Sequence, residues 1–160
     1  MSEAAAAAEQ LRQVYEGPAW HGPSLRELLD GVDAALAAAV PAGAAHSIQQ
    51  LVGHVAVWEE VCRRRLGGEV VEHPPAHEDF PRIADDETAW RDLLERLEAG
   101  NRRLREAIAS LPESRLQEIV PGNEYTVGVL IRGVAFHSVY HGGQVALLKR
   151  MLSAPGAPRL

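Results

Sequence analysis

Apolar residues recur in this chain at alternating steps of three and four, and no other feature limits its fold so strongly. Those steps place side chains along one face of a helix. Val127, Leu130, Val134, His137, His141, Gln144 and Leu148 make one such seam, in a helix expected to start after Thr126. Trp90, Leu94, Leu97, Asn101, Leu104 and Ile108 make a second, starting near Asp85 or Asp86 and ending before Pro112. A third seam, Leu51, His54, Trp58 and Val61, belongs to a helix that runs to about Leu66 and stops at Gly67-Gly68. Ser47 and Gln50 at its start have the spacing of a capping box, in which two side chains satisfy free amides at a helix end. Ser24 and Glu27 have the same spacing and open a fourth segment, with Leu25, Leu28, Leu29, Val32 and Leu36 as its stripe and Pro41 as its end.

Strand signals are scarce, so the expected fold is an all-α four-helix bundle. Residues 3–16 are expected as a short extra N-terminal helix, with Ala8, Leu11 and Tyr15 on one side. Residues 67–84 and 111–125 carry no period and read as long connections of the kind that cross a bundle or line a site. A single domain is expected over residues 1–160, with its core in 23–152 and a flexible tail at 153–160.

The charge balance narrows the partners. Net charge is −6 with acids and bases interspersed and no basic stripe, which argues against nucleic acid. The one cysteine, Cys62, cannot form an internal disulfide, which suits a reducing compartment. The opening "MSEAAAAAEQLRQ" lacks the basic and apolar regions of a secretory signal. No run approaches the roughly 18 apolar residues of a membrane span. A soluble, cytoplasmic protein acting on a small molecule is the expectation.

Chemistry concentrates in the histidines. His137 and His141 lie one turn apart on an inward seam where leucine would cost less. An unpartnered buried polar ring costs about 1–3 kcal/mol, so two together need compensation. A metal such as zinc, nickel, copper or iron supplies it, since neutral imidazole is a good ligand. Bonds from the rings to each other, to backbone or to water would supply it too. His54 points inward from another helix, and two helices aiming imidazoles at one interior is how bundles build metal sites. Three histidines would leave a coordination position open for water or substrate.

The other histidines carry less. His73 and His77 flank Pro74-Pro75 and read as loop residues near a site entrance, while His46 and His21 sit in or beside turns. Gly142-Gly143 serves either close helix approach or room for a substrate. Gln144 and Asn101 are inward polar residues that either orient a ligand or fix helix register. Trp20, Trp58 and Tyr125 are candidates to line the pocket. Glu59 and Glu60 fall off the His54 face, and no H-E-x-x-H, phosphate loop, G-x-S-x-G or di-iron pattern is present. Catalytic residues beyond the metal ligands are not assigned by the sequence.

"HSIQQLVGHVAVWEEVCRRRLGG" followed by "YTVGVLIRGVAFHSVYHGGQVALLKRML" resembles the DinB/YfiT-like family of metal-binding four-helix bundles. "WHGPSLRELLDG" is similar to the opening of one of its subgroups, and the likeness covers most of residues 18–152. The family's ligand histidines fall at His54, His137 and His141, with a following G-Q at Gln144. The resemblance implies an up-down-down-up bundle with a long second connection. It also implies a homodimer and one divalent metal per chain, typically zinc or nickel. Characterised relatives include thiol-dependent enzymes, bacillithiol S-transferases and a mycothiol-dependent maleylpyruvate isomerase, which implies a low-molecular-weight thiol cosubstrate, while many other members have no known activity. The expected function is therefore a metal-dependent S-transferase. The same metal could instead serve a hydrolase through bound water, or a non-catalytic metal-binding stress-response module.

Overall fold

Local capping decides where the helices of this chain begin, and burial decides how they pack. The structure is a computed structural model that describes residues 2–153. Ser2 caps α1 (Glu3–Glu16), and Ser24 with Glu27 closes a full capping box on α2 (Leu25–Leu29). Asp33 caps α3 (Ala34–Ala38), and the Ser47–Gln50 box caps α4 (Ile48–Leu66). After the short α5 (Ala76–Asp79), Asp86 caps α6 (Glu87–Ala109). A 3-10 turn at Glu113–Gln117 then leads to α7 (Val127–Ser153). Among the described residues there is no strand, only two isolated bridges. Among the described residues no helix is long and apolar enough to cross a membrane. The expected tail, apart from Ser153, lies outside the described residues.

Two expectations for the N-terminal third need correction. The stripe from Leu25 to Leu36 does not form one helix. Asp30 turns extended, Gly31 takes a φ of 71° that favours glycine, and Asp33 caps anew, so local capping overrides the apolar period. The helix expected at residues 3–16 is present as α1, but the core does not begin at residue 23. This helix packs on α6 and α7, as α4 does, and these four are the long elements in mutual contact. Its buried Ala4, Ala7, Leu11 and Val14 carry the core back past residue 23.

The core has two apolar halves. One gathers Tyr15, the starts of α4 and α6, the end of α7 and the short α2 and α3. The other gathers the start of α1, the ends of α4 and α6 and the start of α7. Thus α1 and α7 run towards the first half, and α4 and α6 run away from it. Between the halves lies a buried polar layer of Glu59, Asn101 and Ser138. The short helices close one end: Trp90 donates to the Val32 carbonyl, and Lys149 donates to the carbonyl of Leu28.

Candidate metal centre

His54 sits two turns into α4, and His137 and His141 sit one turn apart in the middle of α7. The two helices are antiparallel, since Arg65 near the end of α4 meets Tyr125 just ahead of α7. One ring nitrogen from each histidine lies within 4.8 Å of the other two. The Nε2 atoms of His54 and His137 are 2.9 Å apart, and His141 packs edge-on against both rings at 4.5 Å.

Hydrogen bonds outside the cluster set the tautomers. His54 Nδ1 lies 2.9 Å from the Asp79 carbonyl and 2.9 Å from Asp79 Oδ1, both acceptors, so Nδ1 carries the proton. His141 Nδ1 lies 2.6 Å from Gln144 Oε1, so it too donates. Both rings therefore direct an Nε2 lone pair into the cluster, the tautomer that a metal ligand needs. His137 Nδ1 is buried without a partner, so no second acceptor engages that ring. Burial lowers the pKa of His54 and His141, and burial with the two neighbouring histidines lowers His137 to about 3. The triad is neutral at physiological pH. Ligands held about 2.0–2.1 Å from one cation stand roughly 3–4 Å apart; the His54–His137 pair at 2.9 Å is close to that spacing, and all three nitrogens lie within 4.8 Å of one another.

The segment read as a structureless connection supplies what the sequence reading missed. Asp79 ends α5 and also accepts from Trp58 Nε1 at 2.7 Å, so one carboxylate braces two residues of α4. Phe80 lies stacked between His54 at 4.0 Å and His46 at 3.9 Å. The segment comes this close because residue 53 is glycine: a Cβ there would stand 2.7 Å from Pro81 Cγ.

The remaining candidates separate clearly. Trp58 and Tyr125 line a cavity of about 260 Å³ that reaches His137, whereas Trp20 is fully exposed and lines nothing near the triad. His73 is exposed and packs edge-on against Trp58 at 4.9 Å. His77 and His21 are exposed, and half-buried His46 reaches the site only through Phe80. Gln144 orients a site histidine, but Asn101 does not: it donates to Glu59 Oε1 at 2.8 Å in the polar layer. A Cβ on Gly142 would meet Leu28 at an ordinary 3.7 Å, and one on Gly143 would meet nothing, so tight helix packing does not explain that pair. Glu59 and Glu60 both fall off the His54 face, as expected: Glu60 pairs with Arg63, and Glu59 is wholly buried in the polar layer.

Comparison with curated proteins and with solved structures gives no match to this chain. The family model described as the DinB superfamily matches residues 19–145, a span that begins after α1 and contains all three histidines. With four-fifths of its length under that match and its histidines gathered between two bundle helices, the chain belongs to the DinB superfamily.

Proposed function

We propose that the chain is a metal-dependent enzyme of the thiol S-transferase type, with His54, His137 and His141 as ligands to one divalent ion, zinc or nickel. The observation that carries this reading is the pair of Nε2 lone pairs fixed inward by Asp79 and Gln144, beside a third ring with no other acceptor. A metal bound there supplies Lewis acidity, lowering the pKa of a thiol so that thiolate forms near neutral pH. The chain's own residues do the rest. Asp79 and Gln144 hold the rings, Phe80 covers His54 from solvent, and Trp58 with Tyr125 bounds the space where an electrophile meets the nucleophile.

The hydrolytic alternative needs a general base beside the metal, and the nearby carboxylates are engaged elsewhere. Asp79 is taken up by His54 and Trp58, and Glu59 by Asn101 and Ser138. A homodimer is part of the proposal. It is supported by an exposed apolar stripe on α7, Val129, Phe136, Tyr140 and Leu147, and the solution mass tests it.

The test begins with elemental analysis of protein purified without a histidine tag. One metal per chain, abolished by His141→Ala, is the expected result. Conjugation of a thiol to a panel of electrophiles, lost on chelation, should follow. Metal-loaded protein with neither thiol affinity nor turnover overturns the enzyme reading and leaves a metal-binding module.

A further inference from the structure

The cavity beside His137 holds a cation with no matching anion. Arg65 is 7% exposed, yet among the described residues no carboxylate lies within ion-pair distance of it. Its Nε and Nη2 donate to the Val71 carbonyl and its Nη1 to the Tyr125 hydroxyl at 2.7 Å. All three are bonds to neutral acceptors. A guanidinium has five N–H groups, so one on Nη1 and one on Nη2 stay free. The Tyr125 hydroxyl accepts from Arg65, and its own O–H has no acceptor among the described residues. The negative end of the α4 dipole offsets part of the charge but supplies no full counter-ion. A buried charge left in this state is costly, and a paired one far less so.

The place of that cation in the cavity is informative. Arg65 continues the seam of Leu51, His54, Trp58 and Val61, so it faces the same groove as the triad. Trp58, Val61, Leu130 and Val134 wall the space with little polar surface. Along the groove His137 lies at one end of the lining, and Arg65 with Tyr125 at the other. Leu130 and His137 are seven positions apart, about 10 Å along α7. At about 260 Å³ the cavity falls below the usual range for drug-sized ligands, which sets a small occupant.

From this geometry we infer that the cavity binds a small substrate with an apolar body and a terminal carboxylate, the carboxylate on Arg65 and Tyr125 and the reacting end towards the histidines. A planar monoanion with two oxygens matches three free donors and one positive charge. The inference deepens the enzyme reading above and rests on it for the direction of the reacting end. The anion pocket itself is testable without any metal.

Calorimetric titration of 4-phenylbutyrate and of its uncharged amide, 4-phenylbutyramide, into metal-loaded and chelator-treated protein tests it. The carboxylate should bind at least about tenfold more tightly than the amide in both forms, as a charge-assisted contact requires. Arg65→Met, of similar volume, should abolish that preference while leaving amide binding in place. Should Arg65→Met fold poorly, Tyr125→Phe gives a second reading, a weaker carboxylate with an unchanged amide. Equal binding of the two probes, or no binding of either at millimolar concentration, overturns the inference. A preference that survives Arg65→Met but vanishes on chelation overturns it as well and places the carboxylate on the metal, leaving the metal reading intact. A preference lost with Arg65 but kept on chelation supports the pocket even if the protein never binds metal.

Discussion

Glu59 offers the sharpest test of the packing described above. Its carboxyl lies in the polar layer, wholly buried, with Oε1 accepting from Asn101 Nδ2. Glu59 Oε2 and Asn101 Oδ1 are both buried without partners. Two orphaned acceptors on one facing pair become satisfied together if Oε2 carries a proton and donates to Oδ1. Burial pushes the Glu59 pKa from 4.5 up to about 7, against the lowering by Asn101, Ser138 and Arg105. Tyr15 and Cys62, both pushed up to about 12 mainly by burial, stay neutral through that range. The folded state therefore keeps a proton that the unfolded chain gives up above pH 4.5. Stability should fall as pH rises from 4.5 to about 7, by about 3 kcal/mol in all, and then level off. Glu59→Gln replaces the proton with an amide donor. The variant should match wild type near pH 4.5 and exceed it by up to about 3 kcal/mol above pH 7. Urea unfolding of both proteins from pH 4.5 to 8.5 measures the difference, in which other titrating groups cancel. A difference that does not change with pH, or a glutamine variant less stable at pH 8, refutes the argument.

Gln144→Leu removes the acceptor for His141 Nδ1 and should weaken metal binding about 10–100-fold in a competition titration, with the helical signal unchanged. Affinity equal to wild type would show that the ring is oriented by packing alone. Gly53→Ala should lower stability by roughly 1 kcal/mol in chemical unfolding, because the clash with Pro81 outweighs the gain in helix propensity. A stabilised variant would mean that the 79–81 segment yields freely.

The parts of this molecule legible in its sequence are those decided within a few residues. The Ser47–Gln50 box, the Asp86 cap and the start after Thr126 set the beginnings of α4, α6 and α7, and their seams set which faces go inward. The three histidines were readable because each lies on such a seam. Asp79, Phe80 and Pro81 were not, because their stretch has no period and its position follows from contact with Gly53 and His54. Glu59 falls off the His54 face, as expected, and is buried there for a geometric reason. A helix inside a bundle is buried on two sides, and Val55, Glu59, Cys62 and Leu66 make a second seam, all buried, beside that of His54. Arg65 continues the first seam, a signal that could have placed it at the site. The break at Gly31 was legible too, as a glycine followed by the Asp33 cap, but the leucine stripe masked it.

Ring nitrogens converging from His54, His137 and His141 have a thermodynamic consequence that separates a metal site from a polar core. Directing neutral nitrogens at one another gives no stabilisation unless a proton or a cation lies between them, and His137 Nδ1 stays unsatisfied in either case. A cation that binds this folded arrangement, and not the unfolded chain, stabilises it by mass action, about 2.7 kcal/mol at a hundred times its dissociation constant. For a chain of 160 residues that corresponds to a rise in Tm of roughly 5–11 °C. Scanning calorimetry of chelated protein with added zinc or nickel should show this rise, and the same scans of His141→Ala should not. If the His141→Ala variant melts higher than wild type and neither responds to metal, the three rings are a buried polar cluster that costs stability, and Asp79 and Gln144 serve only to make that cost tolerable.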